Sequence, residues 1–181
     1  PGSAVEGASA MAEANSDIAG DVAGGVAANA PQVAAVTAGS IAEASPELAG
    51  DIAAGVAEAA PAMAGAVVQN LAEANPEGTA EMVATAVAAV PEAAANIAQG
   101  FIAADPGTAA EIAAQVAELN PENAGDIAAG MVQVAPAMAS DIAGAIAESN
   151  PDLAGQVGES MAIANPAVAG QIAAGMAEVN P

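Results

Sequence analysis

The amino-acid sequence predicts an all-α fold, an α-solenoid of twelve helices with one helix in each unit of fifteen residues. All twelve prolines fall on a grid with a spacing of fifteen, from Pro1 to Pro181, and only Ser16 replaces a proline on it. The third, seventh and eleventh positions of most units carry the larger apolar residues, and the fourth, eighth and twelfth are mostly alanine. Apolar rows with a spacing of four are typical of an amphipathic helix, whereas strands need a period of two.

Each unit has residues that are typical of helix termini at its two ends. Proline fits the first helical turn, where its missing N–H would be unpaired, and it forces the preceding residue out of helical geometry. We therefore expect helices of about thirteen residues, roughly 20 Å long, with corners of one or two residues. Side-chain caps are predicted at eight residues that precede a grid position: Asn15, Ser45, Asn75, Asp105, Asn120, Asn150, Asn165 and Asn180.

A glutamate stands three residues before the next grid position in seven units. It either reaches forward to the free N–H groups of the next helix or is a solvated side chain, and the sequence leaves both interpretations open. These residues are Glu13, Glu43, Glu58, Glu73, Glu118, Glu148 and Glu178.

The helices are too short to bury their apolar stripes alone, so neighbours must stack. The corner residues alternate between polar and apolar from Asn15 to Asp105, which favours stacked antiparallel pairs of helices. The alternation breaks at Asn120 and Asn165, which leaves a one-helix superhelix as the alternative. We expect one repeat domain over residues 1–181, and the regular last unit leaves open that the chain is an excerpt of a longer array.

Departures at the third position of the middle units (Gly78, Ala93, Thr108, Asn123) predict a local groove or bend, unless the first turn of these helices is frayed.

The composition excludes several classes of function. The chain has 22 acidic residues and no Lys, Arg, His or Cys, which gives a formal charge of −22. Nucleic acids and anionic membranes repel such a chain, and no apolar run reaches the length of a membrane span. We find no catalytic constellation and expect neither enzyme activity nor a cofactor.

Carboxylates recur at the sixth position of several units, and stacked helices would bring them into a row. No EF-hand spacing occurs, and one carboxylate per helix gives sparse coordination for calcium, so a solvated polar face is favoured over a metal site. The candidates for weak cation association are Asp21, Asp51, Glu81, Glu111, Asp126 and Asp141. Methionines on the apolar stripe are interpreted as core residues that fill gaps.

The fifth, ninth and tenth positions are mostly small. Glycine inside a helix costs about 1 kcal/mol relative to alanine, so its recurrence suggests close backbone approach on a second face, with low-complexity drift as the alternative. The predicted interaction face consists of Gly20, Gly24, Gly50, Ala54, Gly125, Ala129, Gly170 and Ala174.

This small-residue face suggests three functions. The first is a structural rod or self-assembling element, whose partner is another copy of the chain. The second is ice binding, since the chain resembles alanine-rich antifreeze proteins in composition, although it shares no motif with them and its few threonines form no row. The third is a protein-binding scaffold, which would lack the usual aromatic and Arg anchors. We expect an extracellular location, with which the absence of every trypsin site is compatible.

Overall fold

The structure is a computed structural model that describes residues 2–179, apart from the side chains of residues 2–4 and Glu13. Within this range the chain forms twelve α-helices and no strand, which confirms the predicted all-α solenoid. The helices are α1 (Gly2–Ala14), α2 (Ala19–Asn29), α3 (Pro31–Ala44), α4 (Ala49–Ala59), α5 (Ala64–Ala74), α6 (Thr79–Ala89), α7 (Ala94–Ala104), α8 (Ala109–Leu119), α9 (Ala124–Val134), α10 (Ala139–Ser149), α11 (Ala154–Ala164) and α12 (Ala169–Val179).

Every α-helix except α1 and α3 is preceded by a three-residue 3₁₀ turn. The carbonyl oxygen of the corner residue accepts a hydrogen bond from the N–H of the third residue of the unit in most of these turns, as from Met63 to Ala60 at 2.8 Å. This i to i+3 bond is the one that defines a 3₁₀ helix. The turns are Ser16–Ile18, Pro46–Leu48, Pro61–Met63, Pro76–Gly78, Pro91–Ala93, Pro106–Thr108, Pro121–Asn123, Pro136–Met138, Pro151–Leu153 and Pro166–Val168. Each corner is thus a single residue, and the helical part of a unit is slightly longer than expected.

The predicted side-chain caps form at two of the described corners. Asn75 Oδ1 accepts a hydrogen bond from Gly78 N at 3.2 Å, and Asp105 Oδ1 accepts one from Gly107 N at 2.9 Å. Asn180 lies outside the described residues.

At the other corners the cap prediction is wrong. The corner's own carbonyl already bonds the N–H that the side chain was expected to cap, and this holds at Asn15, Ser45, Asn120, Asn150 and Asn165. Some of the freed amides bridge to a neighbouring helix instead: Asn120 Nδ2 donates to Ala84 O at 3.0 Å, and Asn165 Nδ2 donates to Val132 O at 3.4 Å.

The helices form two layers. Each helix contacts the helix two places further along the chain more extensively than it contacts the next helix, so the odd-numbered helices form one layer (the odd layer) and the even-numbered helices the other (the even layer). Helices of one layer run parallel, because Gly20 of α2 lies against Asp51 of α4 while Gly24 lies against Gly55 and Ala59. With one-residue corners, the intervening helix must run back in the opposite sense, as the antiparallel pairs predict.

The core lies between the two layers. The second, sixth and thirteenth positions of a unit are largely exposed, and the fourth, eighth and eleventh positions lie on the opposite side of the helix. Alanine at the fourth and eighth positions lets the layers approach closely. The larger side chains fill the remaining space, and Ile52, Val56, Phe101 and Met131 are all at most 1% exposed.

Candidate functional site

Four glycines at the fifth position, Gly20, Gly50, Gly65 and Gly125, lie at contacts between neighbouring helices of one layer. A Cβ atom added to Gly20 would lie 2.5 Å from the carbonyl oxygen of Asp51, and one added to Gly65 would lie 2.5 Å from that of Asn96. Ordinary van der Waals contact for a Cβ begins at 3.4 Å. These glycines therefore allow a close approach of two helix backbones, and the partner is another helix of the same chain.

The tenth position of the partner helix supplies the other half of this contact. A Cβ atom added to Gly130 would lie 2.5 Å from the carbonyl oxygen of Ala95, thirty-five residues earlier in the chain. Three further pairs with the same separation approach even more closely, namely Gly20 with Gly55, Gly65 with Gly100 and Ser140 with Gly175. Small residues at the tenth position are visible in the sequence, but their pairing with the fifth position is not predicted from it. The separation of thirty-five residues is the signal in the sequence that identifies this pairing.

Most members of the predicted interaction face lie inside the stack. Gly20, Gly24, Gly50 and Gly125 contact the next helix of their layer, Ala54 and Ala129 are half-buried, and Gly170 and Ala174 are exposed on α12. Their use as a surface for another molecule therefore stays a prediction, and only the last two are open to such a partner in this structure.

All six candidates for cation association are exposed: Asp21, Asp51, Glu81, Glu111, Asp126 and Asp141. Five of them, all except Asp126, lie on the even layer at intervals of thirty residues, a period that the fifteen-residue grid conceals. Within the described part of the chain no three carboxylates come together in a way that could hold a metal ion. The even layer thus carries a row of separate carboxylates, whose cation association stays a prediction.

The glutamates near the helix ends are exposed wherever their side chains are described, and Glu13 lies outside that set. The one hydrogen bond recorded for these side chains joins Glu73 Oε1 to Gln69 Nε2 at 3.2 Å. This observation favours the solvated interpretation over a bond to the next helix.

The first pair of helices leaves part of its apolar side uncovered. An apolar groove of about 760 Å³ runs along α1 and α2, and Met11, Ile18, Val22, Gly25 and Val26 contribute to its lining. Met11 is 56% exposed, although its position in the unit is buried in most inner helices. We call this surface the amino-terminal end face.

The last helix leaves its opposite side uncovered. Five small residues of α12 are exposed: Ala169, Gly170, Ala173, Ala174 and Ala177. Three of the corresponding residues of α4, Ala49, Ala53 and Ala57, are buried, because α6 packs beside them. With the adjoining exposed Gly155 of α11, these residues form the carboxyl-terminal end face.

A cleft of about 430 Å³ opens between α6 and α8. Its lining includes the buried Phe101, the only aromatic residue of the chain, together with Ile112 and the exposed carboxylates Asp105 and Glu111. Gln115 stands at the tenth position of α8, where several units have glycine. Gln115 lines the cleft together with Ala80, and α6 and α8 make the least extensive contact within the even layer. The cleft also borders Thr108, one of the residues whose departure from the repeat predicted a groove.

No protein-family model, curated protein or solved structure matches the chain. The two end faces and the cleft are thus defined by the geometry of this chain alone. Among the described helices, none combines the length and the apolarity that a crossing of the bilayer requires.

Proposed function

We propose that this protein is a non-enzymatic structural element, a rigid rod of stacked helices that assembles end to end with further copies of itself. One observation carries the proposal: both ends of the stack expose residues whose counterparts in the inner helices are buried. Removing such apolar surface from water is favourable at roughly 25 cal/mol per Å². The sides of the stack are different, because every carboxylate whose side chain is described is exposed.

The charge of the chain agrees with assembly along one axis. With a formal charge of −22 and no cationic side chain, two rods repel each other when they lie side by side. The two end faces consist mainly of small and apolar residues, so contact there brings few charges together. Growth should then need enough salt to screen the repulsion, since the Debye length falls to about 10 Å at 0.1 M.

Multi-angle light scattering over a series of protein and NaCl concentrations tests this function. We expect the mass to grow in steps of one chain, and each copy should lengthen the particle by roughly 50–60 Å, since six helices stack in each layer about 8–10 Å apart. Ala174→Glu places a charge on the carboxyl-terminal end face and should abolish growth. Ala103→Glu adds the same charge at an exposed position on the side of the stack and should leave growth unchanged.

A chain that stays monomeric at every protein and salt concentration would refute the proposal. Ice binding is the second function that the sequence suggests, and thermal hysteresis of such a monomer would favour it. The structure adds no observation for it, because most residues of the small-residue face contact other helices of the stack.

A further inference from the structure

The two end faces differ in a way that makes them complementary. In the inner part of the even layer, the small residues at the fifth and ninth positions of one helix pack against the sixth, tenth and fourteenth positions of the next. Gly20 and Gly24 of α2 contact Asp51, Gly55 and Ala59 of α4 in this way. The carboxyl-terminal end face offers only the small partners, such as Gly170 and Ala174. The amino-terminal end face offers the other half of this contact, the tenth and fourteenth positions, which are Gly25 and Asn29. Two like faces would leave this pairing of positions unmade.

The separation of thirty-five residues fixes how the two faces would align. The chain contains twelve units, so the first unit of a second copy takes the place of a thirteenth. Counting thirty-five residues onward from Gly170 leads to Gly25 of that copy, and from Gly155 to Ala10. All four positions hold small residues, as the close pairs inside the stack do. Gly25, Gly155 and Gly170 also have open space where a Cβ atom would lie.

The sixth position supplies independent support from charge. Along the even layer this position carries a carboxylate in α2, α4, α6, α8 and α10, but Gln171 in α12. In the odd layer the last helix has Gln156. A second copy in this alignment would set Gln171 beside Asp21 and Gln156 beside Glu6. The row of like charges that runs along the even layer is therefore interrupted by a neutral residue at the contact between the two copies, which we call the joint.

We propose that copies of the chain join head to tail in one register, with α11 and α12 of one copy packed on α1 and α2 of the next as if the repeat continued. This inference rests on the proposed function and specifies its partner as a second copy in fixed polarity. Two helices about 20 Å long and 10 Å apart present roughly 400 Å² of flat face on each copy. The total of roughly 800 Å² is below the ~1,200–2,000 Å² that stable interfaces bury, so the contact is a weak one. Assembly should accordingly depend on concentration.

One residue opposes the joint and gives a test of the register. Inside the odd layer, Gln99 Nε2 donates to Gln133 Oε1 at 3.4 Å, which pairs the ninth position of one helix with the thirteenth of the next. The same pairing at the contact between copies would set position 159 opposite position 13 of the second copy. The sequence has glutamate at both positions, and like charges repel each other. Glu159→Gln should therefore lower the salt concentration at which assembly begins, whereas Glu92→Gln, on the exposed side of the stack, should leave it nearly unchanged.

Cross-linking tests the register directly, because the chain has no cysteine of its own. A Cβ atom added to Gly24 would lie 3.1 Å from Ala59 Cβ, near the distance of about 3.5–4.5 Å that a disulfide spans. The equivalent pair at the joint is Ala174 of one copy and Asn29 of the next. The double variant Ala174→Cys, Asn29→Cys should form a ladder of disulfide-linked chains under mild oxidation, while the out-of-register double variant Gln171→Cys, Asn29→Cys should not.

The outcomes separate this proposal from the proposed function. Particles that grow in light scattering while the Ala174–Asn29 variant stays unlinked would overturn the register and keep the self-assembling rod. Linked dimers from Asn29→Cys alone would show that like faces meet, and would overturn the polarity. A strict monomer in light scattering overturns both. Linkage within one chain in the double variant Gly24→Cys, Ala59→Cys checks that the template pair is close enough to react, and its failure would also count against the register.

Discussion

Gly24 and Gly25 are adjacent in α2 and differ only in their surroundings. Gly24 is buried, and a Cβ atom added to it would lie 2.5 Å from the carbonyl oxygen of Gly55. Gly25 is exposed, and nothing lies within 4 Å of an added Cβ. Substituting alanine at either position brings the same gain in helix propensity, about 0.8–1.0 kcal/mol. The difference between the two variants therefore measures the helix contact alone.

The magnitude follows from the overlap at Gly24. Contact at 2.5 Å instead of 3.4 Å requires a shift of roughly 0.9 Å, and a carbonyl oxygen in a helix cannot rotate away as the end of a side chain could. Overpacking of this kind costs about 1–3 kcal/mol. We expect Gly25→Ala to stabilise the chain by about 1 kcal/mol and Gly24→Ala to be roughly 1–3 kcal/mol less stable than Gly25→Ala. At about 2–4 °C per kcal/mol for a chain of this size, the unfolding temperatures should differ by roughly 2–12 °C.

The assay is thermal unfolding followed by far-ultraviolet circular dichroism, since the chain has no Trp or Tyr to report by fluorescence. Low protein concentration and low salt keep the chain monomeric, so that assembly does not add to the measured stability. This matters for Gly25, which also lies on the amino-terminal end face. Equal stabilisation by the two substitutions would refute the close approach of α2 and α4, and with it the pairing on which the head-to-tail register depends.

Two further predictions concern the corners and the charge. Asn120 is 4% exposed and its amide donates to Ala84 O at 3.0 Å, so Asn120→Ala should lower the free energy of unfolding by about 1–3 kcal/mol. Asn150 is half-buried and its amide donates only to the adjacent Ser149 Oγ, so Asn150→Ala should lower it by about 0.5 kcal/mol or less. Equal unfolding temperatures of the two variants would contradict this prediction. Added NaCl should raise the unfolding temperature, because it screens the repulsion between the like charges of this chain. CaCl₂ at equal ionic strength should raise it equally, because no three described carboxylates converge. An additional, saturable effect of calcium would contradict this prediction and indicate a metal site.

The fold was predictable because the local signals agree with one another. Proline in the first turn, the apolar rows at a spacing of four and the alternating corners all indicate short stacked helices, and such agreement between levels is what specifies a fold. The first turn was mispredicted at the corners for a local reason. A corner carbonyl and a corner side chain compete for the same N–H, and sequence alone does not show that the backbone bond prevails at Ser45 or Asn150.

The candidate site was harder to predict, because it depends on which helices are neighbours. The small residues were recognised, but Gly20 could be assigned to a contact with Gly55 only once helices two units apart were seen side by side. The end faces pose a related difficulty. Val26 and Ala177 are typical residues for their positions in the unit. Val26 is only half-buried and Ala177 is exposed because they lie at the ends of the stack.

The cleft between α6 and α8 has a mechanical consequence. On the opposite side of the stack, α5, α7 and α9 are held close by Gly65 with Gly100 and by Ala95 with Gly130, so one flank is continuous where the other is open. The amide of Asn120 still ties α8 to α6 beyond the cleft. A stack with a gap on one side bends more easily in the direction that closes the gap than in the opposite direction. We therefore expect this stack of helices to flex most easily near its middle and in one direction, with the odd layer as its continuous side.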